Sequence, residues 1–143
     1  MHSDAITLAT CQAENTAPIS WALAGYLSQR LGQPVRFLGG ADWRGSYAAI
    51  AAGRIDIGWI CGRPYVELLA AGAPLALLAA PVMAEARYGG QPIYFSDVVV
   101  RRDSPFQRFA DLRGASWAFN EPGSQSGYHV TRYHLARLGE TGR

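Results

Sequence analysis

The residues best suited to chemistry lie in one short stretch, Asn120-Glu121-Pro122-Gly123-Ser124-Gln125-Ser126-Gly127. Glycines let a backbone approach a ligand closely, and the Ser124 and Ser126 hydroxyls add donors. A helix expected over residues 127–138 would present unpaired N–H groups and a partial positive charge at its first turn. Together these features suit a tetrahedral anion held without lysine or metal. The same spacing also describes a plain capped helix, with Ser124 as N-cap and Gly123 as a turn residue. Two catalytic readings fail on residue type. A P-loop needs a glycine–lysine pair, and the chain has no lysine. A hydrolase nucleophile elbow needs serine at the centre of G-x-S-x-G, where Gln125 stands. Capture fits this pattern better than turnover.

The remaining chemical side chains are more scattered. His129 and His134 are five residues apart and diverge on a helix, so they cannot form the zinc pair that a spacing of four provides. Tyr128 and Tyr133 read as core or surface. No pair of carboxylates stands at helical spacing for acid–base work, and no metal or cofactor is expected. The two cysteines, Cys11 and Cys61, each follow an expected strand and would lie at one sheet edge if those strands are neighbours. They read as small buried thiols or, alternatively, as one bridge. Tyr47 falls near the carboxyl end of an expected strand, the edge at which open α/β sheets bind ligands. Tyr94 opens a longer strand. A tyrosine hydroxyl can donate to an oxyanion while its ring walls off an organic substituent. Trp43, Arg44, Trp59 and Arg63 occupy similar loop edges, where arginine can pair bidentately with an oxyanion or simply stay solvated.

These residues need elements to position them. Residues 5–9 read as a short buried strand. Asn15 or Thr16 can cap a helix beginning near Pro18, in which Ile19, Ala22, Leu23, Tyr26, Leu27 and Leu31 recur at helical spacing before Gly32. Residues 35–38 read as a second strand. Asp42 can cap a second helix whose Trp43, Tyr47 and Ile50 share a face before Gly53. A strand over 55–60, a short helix over 64–71 and a strand over 75–82 follow. This alternation, with strands that are nearly all apolar, predicts an α/β fold around a parallel sheet. A polar, glycine-containing stretch over 85–92 breaks the rhythm. Beyond it come a strand over 93–101 with an internal polar pair, Ser96 and Asp97, a helical segment over 106–112 and a strand over 116–119. The change divides the chain into a first α/β lobe, residues 1–92, and the start of a second, residues 93–143.

Composition narrows the function classes. Hydrophobic residues make up 49% and charged residues 17%, which excludes a disordered chain. The net charge is only +2, and the 13 basic residues, all arginine, are scattered without an aromatic–basic stripe. That argues against nucleic-acid binding. The most apolar run, 75–84, is too short to cross a bilayer. Met1-His2-Ser3-Asp4 lacks a basic segment followed by an apolar one, so a removed leader and a cytosolic protein both stay open.

Several motifs taken together resemble a known family. They are Ser46-Tyr47 with an alanine-rich helix and Gly53-Arg54-Ile55-Asp56-Ile57-Gly58-Trp59; Tyr94-Phe95-Ser96-Asp97-Val98-Val99-Val100-Arg101 with Asp103-Ser104-Pro105 and Phe109-Ala110-Asp111-Leu112-Arg113-Gly114; and Asn120 to Tyr128. In order, they resemble the periplasmic phosphate, phosphite and phosphonate-binding proteins of ABC importers. The resemblance implies a periplasmic-binding-protein-like fold, in which two α/β lobes close over the ligand. It implies that Tyr47 and Tyr94 reach the oxyanion or its substituent, and that Ser124, Gln125, Ser126 and Gly127 hold its oxygens. Many members have threonine where this chain has Gln125.

The implied function is non-enzymatic capture of a small oxyanion for delivery to an ABC-transporter permease. The native protein would be periplasmic or lipid-anchored outside the cytoplasm. The alternative is a ligand-sensing effector domain of a regulatory protein with the same fold. An enzyme using Cys11 or Cys61 as nucleophile ranks last, since neither has a nearby histidine in sequence. The resemblance also implies roughly a further hundred residues that complete the second lobe. The chain is accordingly expected to be truncated, with apolar surface that dimerisation or strand exchange would bury.

Overall fold

The computed structural model describes residues 5–140, so the reading of Met1 to Asp4 lies outside the described residues. Its centre is strand β1 (Ile6–Thr10), flanked by β2 (Val35–Phe37) and β3 (Ile57–Trp59) in a parallel sheet of order β2-β1-β3. Leu8 is the pivot of the register, opposite Phe37 on one side and Ile57 on the other. A residue at that crossing has neighbours on both strands, and Leu8 is only 1% exposed. The α/β class with a parallel sheet is what the alternating pattern dictated.

Helix α1 (Ala17–Leu31) carries a proline in its first turn and ends at Gly32, whose φ of 65° is the left-handed conformation that glycine adopts most readily. Its Thr16 does not cap it through the side chain. The Thr16 hydroxyl instead donates to the Ala13 carbonyl at 2.7 Å, across a short 3-10 turn, Glu14–Thr16. The buried face is also rotated from the apolar stripe expected. Ser20 and Ala24 are buried, Leu23 and Leu27 pack on the core, and Ile19, Tyr26 and Leu31 are exposed. Small residues at 20 and 24 let the helix axis approach the sheet, which large side chains at 19 and 26 would prevent. Ser28 ties the helix end to β2. Its hydroxyl donates to the Ala24 carbonyl at 2.8 Å and accepts from the Val35 N–H at 2.9 Å.

Helix α2 (Trp43–Ala51) is capped as expected, with the Asp42 carboxylate accepting from the Gly45 N–H at 2.7 Å. Ile50 on this helix lies so close to β3 that a Cβ at Gly58 would meet its Cδ1 at 2.8 Å. Helix α3 (Gly62–Ala70) buries Pro64 and Leu68. Asp56 closes the other end of the sheet, accepting from the Thr7 N–H and hydroxyl at 2.7 and 2.6 Å.

The chain packs as two units, one ending at Ala76 and the other beginning at Leu77. In the second unit the strands expected over 75–82, 93–101 and 116–119 carry no ladder among the described residues. Apolar alternation gives a segment its extended tendency, but a strand exists only when a neighbour accepts its hydrogen bonds. Leu78 and Val99 accordingly stay 77% and 86% exposed. The helical segment expected at 106–112 is a 3-10 turn, Phe109–Leu112, and the Asp111 carboxylate reaches back to accept from the Gln107 and Arg108 N–H groups just before it, at 3.0 and 2.9 Å. The last helix begins earlier than expected, as a π turn over Gln125–His129 that runs into α4 (Val130–Arg137).

Rings replace the sheet here. Trp117 stacks near Phe109 and Phe119 at 5.5 and 6.1 Å, and Phe119 meets Tyr128 edge-on at 4.9 Å. Such aromatic pairs add favourable edge electrostatics to their area of contact.

Candidate oxyanion-binding site

The loop over 120–127 is pinned by its own residues. Ser124 is the N-cap of the π turn, and its Oγ accepts from the Gly127 N–H at 2.9 Å. The Asn120 N–H donates to the Gly127 carbonyl at 3.3 Å, the Ser124 N–H to the Glu121 carbonyl at 3.1 Å, and His129 Nε2 to the Pro122 carbonyl at 2.7 Å. Gly127 is glycine because of this pinch. A Cβ there would fall 2.5 Å from the Asn120 Cβ and 3.0 Å from the Ser124 Oγ. The glycine therefore serves loop packing, which is a different use from the close ligand approach that spacing suggested.

What remains available is specific. The first intrahelical bond runs from the His129 N–H to the Ser124 carbonyl at 3.2 Å, so the Gln125 and Ser126 amides stand ahead of it. Leading amides of a helix carry its partial positive charge. Ser124 Oγ accepts from Gly127 and keeps its own proton to donate. Ser124 is buried at 8% exposure, whereas Gln125, Ser126 and Gly127 are half-buried. The Ser124 cap expected from spacing is present, and it does not exclude an anion loop: the cap uses one lone pair of Ser124 and leaves the amides of the next two residues.

Tyr94 belongs to the same unit. Residues 93–100 run without turn or bend. Phe95 lies under the Arg87 guanidinium at 4.6 Å, and Asp97 pairs with both terminal nitrogens of Arg87 at 3.0 and 2.9 Å. Phe95 and Asp97 thus share one face, as alternation in an extended chain requires. Ser96, on the opposite face, donates from its hydroxyl to the Ser126 carbonyl at 2.7 Å. The same alternation puts Tyr94 on the Ser96 face, the face turned to the 124–127 loop. The hydrogen bond to Asp97 raises the Arg87 pKa, and the same bond holds Asp97 below its ordinary value of 3.8. This exposed pair keeps both charges across the neutral range.

Tyr47 lies in the first unit, half-buried on α2, with its ring edge-on to Trp43 at 6.5 Å. Arg44 stacks over Trp43 at 5.2 Å, and Arg63 pairs with Glu67 on α3 at 2.7 Å. The two cysteines do lie at the carboxyl edge of neighbouring strands, and no disulfide joins them. Continuing the register from Thr10 opposite Trp59 brings Gln12, not Cys11, opposite Cys61. The Gln12 amide indeed donates to Cys61 Sγ at 3.5 Å. Among the described residues no group of three histidine, cysteine or acidic side chains could hold a metal ion.

Sequence reasoning missed Ser96, noted only as half of a polar pair, and missed Asn120 and His129 as loop pins. Ser96 had one usable signal: it stands two residues after Tyr94, the spacing of a shared strand face. The pins had none, because both depend on the path of the loop.

The 120–127 loop is pinned by its own residues, carries no lysine, and leaves two leading amides beside the Ser124 and Ser126 hydroxyls. A protein-family model covers most of the chain. Residues 9–142 match the model described as ABC transporter, phosphonate, periplasmic substrate-binding protein. This is a substrate-binding transport family and not an enzyme family. Its members act outside the cytoplasm with a bound ligand and a permease partner. The chain belongs to the phosphonate-binding periplasmic substrate-binding proteins of ABC transporters.

Proposed function

We propose that this chain captures a small phosphorus oxyanion (phosphate, phosphite or a phosphonate) for delivery to a membrane permease. Ser124, Gln125, Ser126 and Gly127 form the oxygen-binding loop, with the Gln125 and Ser126 amides and the serine hydroxyls as donors. Tyr47 and Tyr94 bind the remaining oxygen or the organic substituent. Binding relies on neutral donors and the helix-end charge, and no lysine ammonium takes part. Lobe closure would then present the loaded form to the permease, as hinge closure does in binding proteins generally.

The observation that carries this reading is the bond from the Ser96 hydroxyl to the Ser126 carbonyl at 2.7 Å. It gathers the tyrosine-bearing face of the 93–100 segment and the anion loop on one side, although they are far apart in sequence. The test is calorimetric titration of the purified chain with phosphate, phosphite, methylphosphonate, 2-aminoethylphosphonate and sulfate, repeated on Ser126→Ala. One phosphorus oxyanion should bind saturably, and the substitution should weaken it about three- to tenfold, the worth of one hydrogen bond. Silence with every anion, or preference for sulfate, would overturn the proposal.

A further inference from the structure

We infer that Ser96 is a positioning residue for the oxyanion site, setting the direction of the Gln125 and Ser126 amides without itself touching the ligand. This inference rests on the oxyanion reading above. The Ser126 carbonyl belongs to the peptide that continues into Gly127, the residue already pinched between Asn120 and Ser124. A donor on that carbonyl fixes the rotation of the peptide plane, and with it the turn that aims the two preceding amides. Asn120, Ser124 and His129 anchor the loop to itself. The Ser96 bond ties it instead to a segment thirty residues earlier in the chain. That segment cannot roll freely, since Arg87 grips its opposite face through Phe95 and Asp97. A side chain held from behind by an ion pair and in front by a carbonyl therefore sets both the loop and the Tyr94 face.

The bond needs a hydroxyl and little else. Ser96→Ala removes the donor, and Ser96→Thr keeps it in an exposed extended segment where a β-branched residue is favoured. Methylphosphonate affinity, the amide nitrogen shift of Gly127 and the unfolding midpoint are measured on the parent chain and both variants. Ser96→Ala should weaken binding about three- to tenfold and move the Gly127 shift, because that nitrogen shares the peptide plane of the Ser126 carbonyl, which loses its donor. Ser96→Thr should restore both, and all three chains should unfold at the same midpoint. Parent-like binding by Ser96→Ala overturns the inference alone, as does a Ser96→Thr affinity no better than that of Ser96→Ala. A parent chain that binds none of the five anions removes the oxyanion reading itself, and this role falls with it.

Discussion

The two units of this chain reach order by different means. The first, ending at Ala76, is held by backbone ladders and by helices whose ends are set by a cap or a glycine. Its core of Leu8, Ala24, Val35 and Phe37 is small and buried. The second, from Leu77, has no ladder among the described residues and is joined by ring edges, guanidinium stacking and side-chain bonds to backbone. The contrast explains where the candidate loop can reside. A ladder commits the backbone amides between its strands to one another, so those cannot be offered to a ligand. A segment pinned by a few side chains keeps selected amides unspent, and those are what an anion needs.

The sharpest way to break this contrast is to remove one anchor from each unit. Leu8→Ala deletes the side chain at the crossing of three strands and should cost about 2–5 kcal/mol in urea unfolding. Trp117→Ala, at a half-buried ring in the second unit, should cost about 1–2 kcal/mol less. Equal losses would mean that the rings do the work of a core, and the distinction would dissolve.

Gly127→Ala sharpens it from the other side. The new methyl meets Asn120 and Ser124, so the loop must open, at a cost of about 1–3 kcal/mol that stays local. Hydrogen exchange should speed up at 120–129 while β1 to β3 keep their protection, and methylphosphonate binding should disappear. Slower exchange in the loop, or unchanged binding, would show that the pinch has no bearing on the site.

The smallest effect is electrostatic. Asp97 is held below 3.8 by the bond from Arg87, so its pairing contributes in full above the ordinary carboxylate range. That contribution fades as pH falls through the depressed value. Titration of the Asp97 carboxyl by NMR should give a midpoint below 3.8 that returns to it in Arg87→Gln. Both groups are exposed, so the stability change will be slight and salt-sensitive. An Asp97 midpoint indifferent to Arg87 would remove the clamp from the account of the 93–100 segment.

Sequence legibility follows the same division. Where order is local, it could be read: Asp42 as a cap, Gly32 as a left-handed stop, Ser124 as the start of a helical turn. Each is settled by a few adjacent residues, through sterics and one short hydrogen bond. The parallel α/β class was legible for a related reason, because apolar runs spaced by helical patterns leave few ways to bury themselves. The stripe on α1 misled, since hydrophobicity marks which side chains prefer burial and not which of them fit. Ser20 and Ala24 won the sheet because they are small.

Tertiary structure decided what depends on meeting distant partners. Apolar alternation over 93–101 was visible, but whether those residues would join a ladder depended on a neighbour that no local pattern supplies. The place of Gly127 against Asn120, the His129 bond to Pro122 and above all the Ser96 bond to Ser126 arise only once the loop has folded back. By itself, then, the sequence determined the α/β class and offered the polar loop as a candidate. Only the tertiary structure decided which amides of that loop are spent and which are left, because hydrogen bonds between distant segments are chosen by the path of the chain.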